Sequence, residues 1–143
     1  MNTDRSELLA ALFDETELHP ADVRNLNNIT EAIIGCAYKI GNTLGCGFLE
    51  KVYENALCHE MRKAGLRVKQ QHEISVLYDD MLVGSYCADV LVENLILIEL
   101  KAVKELNDVM KAQCLNYLRA TNLKICLLVN FGGPRVEIKR IML

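Results

Sequence analysis

Three charged residues bracket two short apolar runs in the stretch YCADVLVENLILIELK, Tyr86 to Lys101. Asp89 precedes Val90-Leu91-Val92, and Glu99 and Lys101 close the run that begins at Leu95. A carboxylate beside a buried strand is costly unless it is paired or binds a metal. Two carboxylates and an ammonium on one rigid face have a definite chemistry. The carboxylate oxygens can hold Mg2+ or Mn2+, with waters completing the coordination. Such an ion acidifies water and offsets the charge of a phosphoryl transition state. The ammonium can orient an attacking water or neutralise a phosphate oxygen. The plain alternative is a salt-bridged strand end, because a D…ExK string this short recurs by accident.

Whether the three groups meet depends on the elements that carry them. Aliphatic runs around the polar Glu93-Asn94 read as a β-hairpin. Glu99 and Lys101, two apart on one strand, share a face. A two-residue Glu93-Asn94 loop pairs Asp89 with Ile98 and puts the carboxylates on opposite faces. A three-residue Glu93-Asn94-Leu95 loop pairs Asp89 with Glu99, and commonly needs a left-handed residue, which Asn tolerates. The chemistry therefore requires an odd-length loop or a bulge.

Around this hairpin the chain reads as alternating elements. A short helix over Glu7 to Phe13 is followed by His19-Pro20, which interrupts it. Asn28 and Glu31 resemble a capping box opening a helix with the stripe Ile29, Ile33, Cys36, Ile40 and Leu44, ended by Gly45. A second helix, about Phe48 to Ala64, carries Val52, Ala56, Leu57 and Met61 inward and stops at Gly65. Glu50 and Tyr53 share a face of that helix; Glu50 is either a favourable charge near the N-terminus or a functional group. Strands follow over Leu66 to Asp80, with Ile74, Val76 and Tyr78 alternating, then over Leu82 to Val92 and Ile96 to Ala102. Gly84 marks a bulge or a bend. A helix over Glu105 to Thr121 projects Gln113 and Tyr117 from one side. The Gln113 amide needs a partner, either a core carbonyl or the Asp89-Glu99-Lys101 face. Strands over Leu123 to Asn130 and Val136 to Ile141 complete an α/β sandwich with a mixed five-stranded sheet flanked by helices. Strand, helix and strand from Ile96 to Asn130 predict a parallel crossover.

Composition narrows the classes. With 143 residues, 51% apolar and 24% charged, the chain is of single-domain size and has enough apolar material for a core. No apolar run approaches the roughly 20 residues that span a bilayer, and the acidic N-terminus has no signal pattern. The expected location is cytoplasmic, with no membrane partner. The six cysteines show no CxxC, which predicts buried thiols rather than zinc or disulfides. The three histidines (19, 59 and 72) lack metal-ligand spacing. A net charge of −3 argues against tight non-specific nucleic-acid binding.

Gly47-Phe48-Leu49-Glu50-Lys51-Val52-Tyr53 resembles the string that names the GxxExxY protein family. Asp89, Glu99-Leu100-Lys101, Gln113 and Tyr117 resemble the core of the PD-(D/E)XK nuclease superfamily, to which that family is assigned. The closing VNFGGPRVEIKRI is similar as well. The resemblance runs from about Asn28 to Leu143, with its motifs in the expected order. It departs at Cys46, where the family usually has proline, and at Ala88, where the superfamily's name has proline. It implies a restriction-endonuclease-like domain over 27–143 after an N-terminal extension, 1–26. It implies Asp89 and Glu99 as ligands of Mg2+ or Mn2+, and Lys101 as the catalytic lysine. Glu50 would be an added acid, with Gln113 and Tyr117 lining the site or touching phosphate. The implied function is metal-dependent hydrolysis of DNA or RNA, with a homodimer as a means of cutting both strands. The competing readings are a non-catalytic nucleic-acid- or protein-binding module on the same fold, and an oligomeric scaffold.

Overall fold

The computed structural model describes residues 20–143; the helix expected over Glu7 to Phe13, and His19, lie outside the described residues. Helices α1 (Pro20–Leu44) and α2 (Glu50–Lys63) come first, then strands β1 (Val68–Tyr78), β2 (Met81–Val92) and β3 (Ile96–Lys101). Helix α3 (Asp108–Thr121) leads to β4 (Ile125–Asn130) and β5 (Glu137–Met142). The strands form one mixed sheet in the order β1-β2-β3-β4-β5. All neighbours are antiparallel except β3 and β4, which are parallel. The expected crossover is therefore present, with α3 between its strands. Helices α1 and α2 cover one sheet face through a core that includes Ile33, Leu57, Ile98 and Leu127. Helix α3 covers the other through Cys114, Leu118, Leu97 and Leu128. Strands β3 and β4 are buried almost throughout, which accounts for their unbroken apolar sequence.

Helix α1 starts at Pro20, not at Asn28. Leu26 lies buried with Ile29, Ile33, Ala37 and Ile40, so the apolar stripe continues through the asparagines that resembled a cap. Thr30 also donates its hydroxyl to the Leu26 carbonyl at 2.7 Å.

Helix α2 is rotated from its expected phase. Tyr53, Glu54, Leu57, Cys58 and Met61 are buried, whereas Val52 is exposed. Tyr53 sets this phase. Its ring stacks on Phe131 with centroids 4.7 Å apart and planes within 2°. Its hydroxyl donates to the Gly45 carbonyl at 2.6 Å and accepts from the Phe48 N–H at 3.2 Å. One buried phenol thus fastens the Gly45–Phe48 turn, in which Gly45 and Gly47 take positive φ, and fixes where α2 begins.

In the β1–β2 hairpin Ile74 points inward but Tyr78 is exposed. The register slips between Val76 and Leu77, beside Gly84, so the alternation expected across this strand ends there. Of the six free cysteines, Cys58, Cys114 and Cys126 are buried, while Cys46 and Cys87 are exposed. The expectation of buried thiols thus holds for three of them.

Candidate active site

The β2–β3 turn has the length the chemistry requires. Val92 pairs with Ile96, leaving Glu93, Asn94 and Leu95 as the loop. Both Glu93 (φ 53°) and Asn94 (φ 55°) are left-handed, and Leu95 N–H donates to the Val92 carbonyl at 3.0 Å. A left-handed glutamate is unusual. Its carboxylate is held by the Arg67 N–H at 2.6 Å and the Arg67 guanidinium at 3.2 Å. The last main-chain pair of the ladder is Val90 with Ile98, and the next step sets Asp89 opposite Glu99. Here side chains replace the main-chain ladder. Asp89 N–H donates to Glu99 Oε1 at 3.0 Å, and Leu100 N–H donates to Asp89 Oδ2 at 2.8 Å.

Lys101 completes the group. Its Nζ lies 3.9 Å from Glu99 Oε2 and donates to Gln113 Oε1 of α3 at 3.4 Å. The end of β3 that presents it is anchored by β4: Phe131 N–H donates to the Lys101 carbonyl at 2.9 Å. Buried Asn130 clamps the next turn, accepting from Val103 N–H and Gly132 N–H at 3.0 Å each and donating to the Val103 carbonyl at 2.9 Å. Gly132 packs so closely on the Ala102–Val103 backbone that a Cβ would collide with it.

Burial dominates the electrostatics. Glu99 is 4% exposed; desolvation, then the charge of Asp89, push its pKa up to about 8 against the pull of the Asp89 N–H and Lys101. Asp89 is also raised, mainly by desolvation, with Glu54 adding to the rise and the Leu100 N–H, Lys101 and Lys51 opposing it. Glu50, at the exposed start of α2, is raised by desolvation and by Asp89, so its carboxyl feels this site. The Tyr117 phenol is raised by burial and by Glu99 and Asp89, which keeps it a hydrogen-bond donor. The geometry thus joins Asp89, Glu99, Lys101 and Gln113 by direct contacts, with Glu50 and Tyr117 close enough to act through charge.

Sequence reasoning overlooked Glu54. It is 3% exposed, yet its oxygens accept from Lys51 Nζ at 2.7 Å, Gln70 Nε2 at 2.7 Å and Gln71 Nε2 at 2.8 Å. Gln71 is itself left-handed (φ 58°), and the β1–β2 pairing lapses there, between Gln70–Val90 and His72–Ala88, directly across from Asp89. The available signal was spacing: Glu54 stands four residues after Glu50, on the same helix face.

A family model described as the PD-(D/E)XK nuclease superfamily matches residues 27–141. The chain belongs to the PD-(D/E)XK nuclease superfamily. Its mixed sheet between helical layers is the restriction-endonuclease-like fold expected of a member. No curated protein and no solved structure gives a significant match. Superfamily nucleases act on nucleic acid and generally depend on a divalent metal. Among the described residues, no group of three or more His, Cys, Asp or Glu is arranged as a metal cage. The Asp89–Glu99 pair nevertheless suits a hard cation that keeps several waters and needs only one or two carboxylates plus substrate phosphate oxygens. A buried Glu99 whose pKa is raised by burial and by the neighbouring Asp89 is under-compensated in the way such an ion corrects. No helix among the described residues is long and apolar enough to cross a membrane.

Proposed function

We propose that this protein is a divalent-metal-dependent nuclease hydrolysing phosphodiesters in DNA or RNA, with Asp89 and Glu99 holding Mg2+ or Mn2+. The carrying observation is the hairpin register that sets Asp89 against Glu99 with Lys101 Nζ 3.9 Å away. The bound cation supplies Lewis acidity, acidifying water and offsetting phosphoryl charge. Lys101, restrained by Gln113, orients the attacking water or neutralises a phosphate oxygen. Tyr117, kept protonated, donates toward phosphate. Glu50 adds acidic character from the start of α2. Within the superfamily we place the chain with the GxxExxY proteins, on the string Gly47 to Tyr53 whose tyrosine anchors that helix start. The nuclease domain spans 27–143, the residues before it form an extension, the location is cytoplasmic, and the assembly is a homodimer.

The test is hydrolysis of nucleic acid by purified protein with Mg2+ or Mn2+. Asp89→Ala and Lys101→Ala each abolish it; activity surviving both substitutions refutes the assignment. The net charge of −3 favours one competing reading, a non-catalytic binding module on the nuclease fold. Calorimetry separates the two, since that module binds no Mg2+ or Mn2+ at Asp89 and Glu99.

A further inference from the structure

A groove of about 720 Å³ lies between the β1–β2 hairpin and α3, with Gln113 and Tyr117 in its lining. Its size falls in the range of roughly 300–1,000 Å³ typical of small-ligand sites. Ile74, Leu77 and Ala112 give it aliphatic walls, and Tyr86 stands at its edge. Tyr86 is 55% exposed, and its ring lies 6.0 Å from the ring of Tyr117, tilted by 51°. Asn116 and Arg119 bring an amide and a guanidinium to the same groove, joined by a 2.9 Å bond from Arg119 to the Asn116 oxygen. The groove is continuous with the proposed centre, because Gln113 and Tyr117 line it while Gln113 also receives Lys101.

We infer that this groove takes an unpaired nucleobase next to the scissile phosphate, stacked on Tyr86, so that the substrate is single-stranded at the cut. The inference rests on the nuclease reading of Asp89, Glu99 and Lys101. An aromatic face with aliphatic walls accepts any flat ring, and stacking on such platforms is tolerant of sequence. The Asn116 amide and the Arg119 guanidinium offer hydrogen bonds to a base edge. A base in a duplex hides both faces against its neighbours and must leave the stack to be reached. Charge points the same way. A protein of net charge −3 has little of the sequence-independent phosphate affinity that holds duplexes, so binding must come largely from base contacts.

The experiment measures fluorescence anisotropy of a labelled single-stranded oligothymidylate, and of the same strand paired with oligoadenylate, in the presence of a chelator so that nothing is cut. The wild-type protein binds the single strand more tightly than the duplex. Tyr86→Ala weakens single-strand binding by roughly 5- to 100-fold, the range that loss of one stacked base gives. Tyr86→Phe retains binding, and Asn116→Ala, on the exposed face of α3, weakens it without touching β2. Equal binding by wild type and Tyr86→Ala, duplex binding as tight as single-strand binding, or no single-strand binding overturns the inference. So does an oligomer that Tyr86→Ala dissociates without effect on the oligonucleotide, which would give the groove to a second copy. Addition of Mg2+ then separates the two readings. Tyr86-dependent binding without hydrolysis rejects the nuclease centre and keeps the groove; hydrolysis indifferent to Tyr86→Ala does the reverse.

Discussion

Replacing Glu99 with glutamine tests the electrostatics of the centre without emptying it. The amide keeps an oxygen for the Asp89 N–H that Glu99 Oε1 now accepts at 3.0 Å, but removes the buried charge. Burial favours the neutral acid in the fold, so the folded protein binds this proton more tightly than the unfolded chain does. The sign follows: its stabilising effect is fully present below pH 4.5 and drains away as the pH rises to about 8. A rise from 4.5 to about 8, at roughly 1.4 kcal/mol per tenfold change, sets a ceiling of about 5 kcal/mol. Residual water and relaxation around the site reduce the expected loss to about 2–4 kcal/mol. The assay is urea unfolding in chelator at about pH 5 and about pH 8.5 for both proteins, whose midpoints then differ in pH response by about 1–2 M. Comparison with the variant cancels the contributions of groups common to both proteins. Saturating Mg2+ restores wild-type stability at the alkaline end and leaves Glu99→Gln unmoved. The same pH response in the two proteins would show that Glu99 carries no uncompensated charge, and with it would go the argument for a cation.

Two further substitutions probe the supports. Glu54→Ala leaves Lys51, Gln70 and Gln71 without their shared acceptor. It costs about 2–3 kcal/mol in urea unfolding and, by removing a repelling charge, moves the Asp89 carboxyl titration downward in NMR; an unshifted Asp89 contradicts that charge coupling. Asn130→Ala breaks three hydrogen bonds to Val103 and Gly132. It costs about 2–4 kcal/mol and frees the end of β3 that presents Lys101, so turnover of nucleic acid falls together with stability.

The hairpin was legible because two constraints agree. The apolar runs locate the strands, and the two-residue period makes loop length decide which face each carboxylate takes. The strand–helix–strand order likewise allowed few topologies, and β3 and β4 pair in parallel as expected. What escaped reading depended on partners distant in sequence. Asn28 looks like a cap until Leu26 is known to pack, since a local capping pattern yields to a continuing buried stripe. The phase of α2 turns on Tyr53 meeting Phe131, 78 positions later. Glu54 reads as a surface charge, and only Gln70 and Gln71 in β1 make its burial tolerable. Asn130 ends an apolar strand and reads as a simple stop, yet its amide ties the crossover to the sheet.

At the step where Asp89 faces Glu99, each carboxylate takes the amide proton of the opposite strand in place of a carbonyl. Charge state and strand cohesion are consequently the same variable at this point. Protonating either acid, or binding the proposed cation between them, changes the acceptor that the opposite amide meets. Occupancy of the proposed centre would thereby reach the backbone itself, where the amide signals of Asp89 and Leu100 would report it without any substrate.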